Sequence, residues 1–375
     1  MAGLYVHIPF CESRCYYCDF YSSTFKGNRE ALLSAIQKEL MDRKAYLKNE
    51  PVRTLYFGGG TPSQLTIEEL DKLLQTIFRQ YDCQIEELTL EANPEDLSKD
   101  YLTALKQLGV NRLSIGIQSF DDADLKRINR RHTAQTAIDM VQLAQQVGFD
   151  NISIDLIYGL PDQTLEGWER NLQQAITLNV QHISAYSLTF EEGSLLTKMK
   201  ARGEVKEVDE EVSLKMFQTL RKVLSAAGYL PYEISNFSRV GYESKHNSSY
   251  WNYVPYLGVG PSAHSFDGTS RRWNVANSRL YIQSLQEGNP YYEMETLDES
   301  TRYNEYVMTS LRKSVGIGKE MVRDLFGDSY YAYFRKMTEP FLSDGNLREN
   351  QDNIYLSENG IFISDYIIES LLWVE

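Results

Sequence analysis

The chain has 375 residues, enough for one large domain and a smaller one, with the 42% hydrophobic and 24% charged content of an ordinary globular protein. A formal net charge of −14 argues against a general nucleic-acid binder, which needs clustered Lys and Arg. The start of the chain lacks the basic and apolar regions of a signal peptide, no apolar run reaches the ~18 residues of a membrane span, and four cysteines, three of them in one short motif, make no disulfide framework. The expectation is a cytoplasmic, reducing and oxygen-poor setting, with peripheral contact at a membrane surface left open.

From residue 1 to about 190 strand-like and helix-like runs alternate. The strand-like runs are Leu4–Pro9, Thr54–Gly58, Glu87–Glu91, Arg112–Gln118, Ile152–Tyr158 and His182–Leu188. Between them lie helical patterns at Arg29–Leu47, Ile67–Gln80, Lys99–Leu108, Thr133–Val147 and Thr164–Leu178. Thr66, with Glu69 three residues on, and Ser98 read as helix caps, and Gly109 and Gly148 as helix ends. Six such units predict an α/β fold with a parallel sheet, a partial (β/α)6 barrel.

Unusual polar residues gather where these strands end, the usual place for ligands in β/α folds. Cys11, Cys15 and Cys18, spaced C-x3-C-x2-C, follow the first strand. Three thiolates on a [4Fe–4S] cluster would leave one iron open; a zinc or redox loop, or buried thiols, is the plainer reading. Gly58-Gly59-Gly60-Thr61 follows the second strand, where glycines admit a ligand close to the backbone or simply form a tight turn. Glu91 ends the third strand, Gln118 the fourth, and Asp155 lies inside the fifth; as hydrogen-bonding groups they suit a polar ligand, as turn residues they are merely solvated. Arg130 could clamp a carboxylate bidentately or belong to a solvated basic turn.

C-x3-C-x2-C with the aromatic Tyr17 before its last Cys is similar to the signature of radical S-adenosylmethionine (SAM) proteins. The wider frame, Tyr5 to Phe10 before the motif and Asp19-Phe20 after it, resembles the group that contains oxygen-independent coproporphyrinogen III oxidase and haem chaperones of the HemW type; the likeness covers essentially the whole chain. It implies a radical SAM barrel with a cluster on Cys11, Cys15 and Cys18. It further implies SAM contacts at Tyr5, Tyr17, Gly59, Gly60, Thr61, Glu91, Gln118, Arg130 and Asp155. An electron from the cluster, provided by an electron donor, would cleave SAM to methionine and a 5′-deoxyadenosyl radical, the hard chemistry belonging to the cofactor.

From Asp209 a longer helix is expected, with Val212, Met216, Phe217, Leu220, Val223 and Leu224 on one face and an end near Gly228. An aromatic, glycine-broken segment follows. Its His246-Asn247-Ser248-Ser249-Tyr250-Trp251 matches H-N-x-x-Y-W, a stretch associated with haem in this group. Imidazole is a common haem ligand and Tyr250 and Trp251 offer flat apolar surface, although a hydrogen-bonded core histidine is the simpler reading of His246. The last part reads as helices Asp298–Leu311, Gly318–Phe326 and Tyr330–Leu342, a hairpin of Leu347–Glu349 and Asn353–Leu356, and a helix at Ile361–Leu372, a smaller winged-helix-like unit. The expected division is 1–235 barrel, 236–297 connecting segment and 298–375 C-terminal domain.

Within the resembled group two functions compete. In the oxidase one further residue and a fourth Cys follow the motif, where here Cys18 is followed by Asp19-Phe20, and an arm precedes the tyrosine equivalent to Tyr5, where here four residues stand. Both departures favour a haem chaperone, with haem and haem-accepting proteins such as membrane-bound cytochromes as partners.

Overall fold

The computed structural model describes residues 1–25 and 27–374. Six parallel strands form where expected: β1 (Ala2–Ile8), β2 (Val52–Gly59), β3 (Cys83–Ala92), β4 (Arg112–Gln118), β5 (Ile152–Tyr158) and β6 (His182–Ser187). The helices between them are α1 (Arg29–Asp42), α2 (Ile67–Gln80), α3 (Lys99–Gln107), α4 (Asp122–Arg127), α5 (Ala134–Val147) and α6 (Leu165–Thr177). Thr66 opens α2 with a complete capping box to Glu69, and Ser98 accepts the Tyr101 amide at the start of α3. The run read as one helix to Leu47 stops at Asp42, because residues 43–49 turn and carry positive φ at Lys48 and Asn49.

After β6 come α7 (Leu195–Ala201) and α8 (Glu210–Ala226). Met216, Phe217, Leu220 and Leu224 of α8 are buried, and Trp168 of α6 donates its indole N–H to the Met216 carbonyl at 3.0 Å. Asp209 stands at the cap position of α8 and makes no side-chain capping bond. Six short strands then complete the main sheet: β7 (Leu230–Pro231), β8 (Asn236–Ser238), β9 (Tyr256–Val259), β10 (His264–Phe266), β11 (Ser270–Asn274) and β12 (Tyr292–Thr296), with α9 (Lys245–Trp251) and α10 (Ser278–Glu287) among them. The sheet order is β12-β11-β10-β9-β1-β2-β3-β4-β5-β6-β8-β7. β9 runs parallel to β1, pairing Gly3 with Tyr256, so segment 236–297 is woven into the same sheet as the barrel strands.

A buried carboxylate pins this segment down. Glu39 of α1, fully buried, accepts hydrogen bonds from Arg43 (3.1 Å), the Gly260 amide (2.9 Å), Asn274 (2.9 and 3.1 Å) and the Tyr281 hydroxyl (2.5 Å). Arg43 also donates to the Gly258 carbonyl at 2.9 Å and to Ser265 at 3.0 Å. Helix α1, the β9–β10 turn, β11 and α10 are thus joined by one carboxylate, its ion pairs with Arg43 and, at 3.9 Å, Arg272, and its hydrogen bonds.

The C-terminal unit has a separate core built on Tyr303, Val307, Phe334 and Ile367. It comprises α11 (Glu299–Arg312), α12 (Lys319–Ser343), α13 (Glu358–Phe362), α14 (Ser364–Leu371) and a small sheet of β13 (Ile317–Gly318), β14 (Leu347–Glu349) and β15 (Asn353–Leu356) in the order β13-β15-β14. The expected hairpin is present. Gly327 breaks α12 with φ 80° and ψ 178°, which explains why two helices are legible there. The last helix is divided at Ile363, which has a non-helical conformation. No helix among the described residues is long and apolar enough to cross a membrane.

Candidate functional site

Side chains alternate across a strand, and here the two faces carry different chemistry. One set, including Leu4, Val6, Ile8, Leu55, Phe57, Leu88, Leu90, Leu113, Ile115, Ile154 and Ile183, belongs to the apolar core shared with the helices. The other set is polar: Tyr5 and His7 on β1, Thr54 and Tyr56 on β2, Glu87 and Glu91 on β3, Arg112 and Ser114 on β4, Ser153 and Asp155 on β5, His182 and Ser184 on β6. Burial, and after it the charges of Asp155, Glu233 and Glu91, hold the Tyr186 hydroxyl above its usual range. Arg112 is 1% exposed, and its Nε and Nη1 have no partner among the described residues. The parallel strands therefore enclose a polar lumen with a buried cation.

The cysteine loop caps the carboxyl end of this lumen. It is held at both flanks: Ser23 donates its amide to Pro9 at 2.7 Å, and the Cys11 amide donates to Ser23 at 3.0 Å. The Tyr16 amide donates to Ile128 at 3.2 Å, the Leu196 amide to Tyr16 at 2.8 Å, and Asn129 to the Arg14 carbonyl at 2.8 Å. Tyr17 packs on Ile128, Ile157 and Leu160. Burial raises the Cys11 thiol and pushes Cys18 up to about 11, and Cys15 raises both further, so the three sulfurs share one neighbourhood. The Thr61 hydroxyl lies 3.4 Å from Cys11 Sγ, and Arg130 Nη1 lies 3.5 Å from Cys15 Sγ. Among the described residues no three His, Cys, Asp or Glu side chains gather as the cage of a single ion.

The residues proposed for SAM line the rim beside this loop. Glu91 accepts from the Tyr56 hydroxyl at 2.7 Å and the Gly59 amide at 3.1 Å. Burial pushes its carboxyl up to about 7; the Tyr56 hydrogen bond opposes that and Asp155 adds to it. Burial likewise raises the Asp155 carboxyl, opposed by hydrogen bonds from Ser184 and Ser114 and by the charges of Arg112 and Arg130. Arg130 donates to Asn93 at 2.8 Å and to the Gly116 carbonyl, while its buried Nε has no acceptor. Gln118 has φ 72°, a strained value for a side-chain-bearing residue, and its Nε2 lies 3.0 Å from where a Cβ on Gly116 would sit. The glycines do structural work as well. Gly59 has φ 113°, and a Cβ there would come within 2.6 Å of the His7 ring. A Cβ on Gly60 would meet the backbone of residues 8–10 at 2.8–3.0 Å.

The residues of the H-N-x-x-Y-W stretch part company. Glu87 accepts the Lys245 and His246 amides at 2.9 Å each, fixing the first turn of α9. His246 is 1% exposed: its Nδ1 shares a hydrogen bond with Thr54 and its Nε2 with the Tyr250 hydroxyl, both at 2.8 Å. Burial lowers its pKa to about 3, which keeps the imidazole neutral. Tyr250 and Trp251 instead line a cavity of about 460 Å³, along with Tyr5, Phe20, Tyr256 and His264. The Trp251 indole N–H is buried without an acceptor among the described residues.

The sequence profile described as "Radical SAM superfamily" matches residues 5–175, and that described as "HemN C-terminal domain" matches residues 297–363. The heme chaperone HemW of Bacillus subtilis (strain 168) is 34% identical over 376 residues, covering 99% of this chain and 99% of that one. This chain belongs to the HemW family of radical SAM proteins. The mitochondrial radical S-adenosyl methionine domain-containing protein 1 of Bos taurus is also 34% identical, over 99% of this chain and 87% of its own. Among solved structures, the coproporphyrinogen III oxidase HemN of Escherichia coli superposes with a TM-score of 0.85 over 99% of this chain and 90% of that one. At 24% identity that likeness shows the fold, a parallel α/β core with a helical C-terminal domain.

A radical SAM family implies a [4Fe–4S] cluster and SAM, and the residues present suit both. One short loop carries three thiols, the Arg130 guanidinium lies 3.5 Å from Cys15 Sγ, and Arg130 Nε is an orphaned buried donor. The motifs did not disclose His7, Tyr56 and Arg112. His7 bridges Tyr5 (3.0 Å) and the Tyr21 carbonyl (2.9 Å), tying β1 to the chain just past Cys18. The signal for all three was the polar-apolar alternation within each strand, where they occupy the polar phase.

Proposed function

We propose that this protein binds haem beside a SAM-carrying [4Fe–4S] cluster and passes haem to haem-dependent proteins. The observation that carries the reading is the aromatic cavity, which shares a wall with the cluster loop through Asp19, Phe20 and Tyr21. Its size lies in the roughly 300–1,000 Å³ range of small-molecule sites. Tyr250 and Trp251 supply flat apolar surface for a macrocycle, and the names borne by relatives such as the B. subtilis protein agree.

Cys11, Cys15 and Cys18 hold the cluster, and Arg130 steadies the sulfur of Cys15. A cluster bound there would supply the electron for reductive cleavage of SAM. Glu91, Gln118 and Asp155 orient SAM from the lumen side, Tyr5 and Tyr17 bound it, and Gly59, Gly60 and Thr61 let it approach the backbone. An electron donor and a haem recipient, membrane-bound cytochromes among them, complete the partners, and the oxygen-sensitive cluster calls for a reducing, cytoplasmic compartment.

The test is anaerobic. Reconstituted protein titrated with haem should develop a Soret band, and given SAM, a reductant and coproporphyrinogen III it should form no protoporphyrinogen. Turnover to protoporphyrinogen would replace this reading with the oxidase. Glu91 adds a pH signature. Its carboxyl takes up a proton as pH falls through about 7 and then stops accepting hydrogen bonds at that oxygen. SAM affinity, measured by equilibrium dialysis, should fall across that range and lose the dependence in Glu91→Gln; an unchanged profile in the variant would remove Glu91 from the SAM site.

A further inference from the structure

We propose that haem lies in the aromatic cavity with His264, not His246, as the axial ligand of its iron. The proposal rests on the haem-binding reading above and adds the ligand and the orientation.

An axial imidazole needs a ring nitrogen with its lone pair directed at the iron. His246 has none to offer. Both nitrogens are engaged, at 2.8 Å each, and the ring lies 5.0 Å from the Tyr56 ring at an interplanar angle of 28°. Its Nε2 reaches only the Tyr250 hydroxyl, and it is Tyr250 that contacts the cavity. Ligation through its Nε2 would break the buried hydrogen bond to Tyr250 and displace that ring from the cavity wall. His246 is therefore a positioning residue that sets the Tyr250 ring.

His264 meets the requirement. It lines the cavity, is exposed, and no hydrogen bond occupies its ring nitrogens among the described residues. It stands on β10, opposite Trp273 of β11, whose ring lies 6.3 Å away at 26°. One strand repeat further, Phe266 lies opposite Arg271 on the same face. That face thus presents an imidazole beside an apolar ring, suited to the iron and the macrocycle of haem, with the paired Arg271 and Glu305 at the end of the row. Arg271 is held by Glu305 at 2.8 Å.

The strand is rigidly seated. Ser265 accepts the Gly258 amide at 3.0 Å and is itself gripped by Arg43. A Cβ on Gly258 would stand 2.0 Å from the His264 carbonyl oxygen, so the β9–β10 turn is packed without slack at this histidine. A ligand on a fixed strand is pre-organised.

The experiment is a ferric haem titration of the full chain followed by visible absorption and resonance Raman. The proteins compared are wild type, His264→Ala and His246→Gln, with circular dichroism melting to verify folding. Expected is at least a tenfold weaker affinity and loss of the iron–imidazole signature in His264→Ala. Free imidazole should restore the signature, a rescue that a merely structural role would not give. His246→Gln should keep the signature. A His264→Ala protein that retains the wild-type spectrum and affinity would overturn the assignment, whether or not His246→Gln loses them. Failure of the wild type to bind haem would instead overturn the haem-binding reading itself.

Discussion

Cys15→Ser, reconstituted anaerobically with iron and sulfide, should hold almost no cluster. Wild type should hold about four irons per chain, the stoichiometry of one cubane. The serine hydroxyl stays protonated at neutral pH and, as a hard oxygen donor, is a poor substitute for a thiolate on iron. Cys15 also lies beside Arg130, whose Nη1 is 3.5 Å from its sulfur, so its loss leaves two thiols and removes that contact. The control is Cys83→Ser. Cys83 opens β3, away from the loop, with its thiol pushed up to about 11 by burial and by Asp82. Equal iron content in wild type and Cys15→Ser would end the cluster assignment.

Glu39→Ala should be among the most destabilising single changes in the barrel, by about 3–5 kcal/mol, the cost of stranding one member of a buried ion pair. The lost carboxylate accepts from Arg43, Asn274, Tyr281 and the Gly260 amide, and Arg43 is itself 6% exposed. These donors are buried, and each one left without an acceptor carries its own desolvation penalty. Glu39→Gln keeps an acceptor oxygen and should lose less. Urea unfolding followed by circular dichroism measures the difference; an unchanged midpoint in Glu39→Ala would mean that the network is relieved by rearrangement.

The barrel half of the fold was legible because its signals are local. Strands β1 to β6 are long enough for alternation to show, and the helices carry caps such as Thr66 and Ser98. Strands β7 to β12 hold two to five residues each, too few for a period, and β9 joins the barrel strands through β1, at the far end of the chain. The cysteine loop was readable for the same reason as the caps: its spacing is contiguous. The roles of His246 and His264 were not, because a histidine's chemistry depends on what its nitrogens already touch. Thr54 and Tyr250 decide that for His246; Thr54 lies far off in sequence, and the motif that holds Tyr250 does not say that its hydroxyl bonds the imidazole. Arg112 was hidden in plain view, as the first residue of a strand whose other polar positions drew attention.

Tyr5 has a consequence beyond its own contacts. Its ring lines the aromatic cavity on one side, and on the other its edge lies within 2.9 Å of where a Gly58 Cβ would stand, with Glu91 equally near that point. One phenol is thus a party wall between two compartments. Any tilt that an occupant on one side imposes on it changes the free energy of filling the other, and thermodynamic linkage makes that influence equal in both directions.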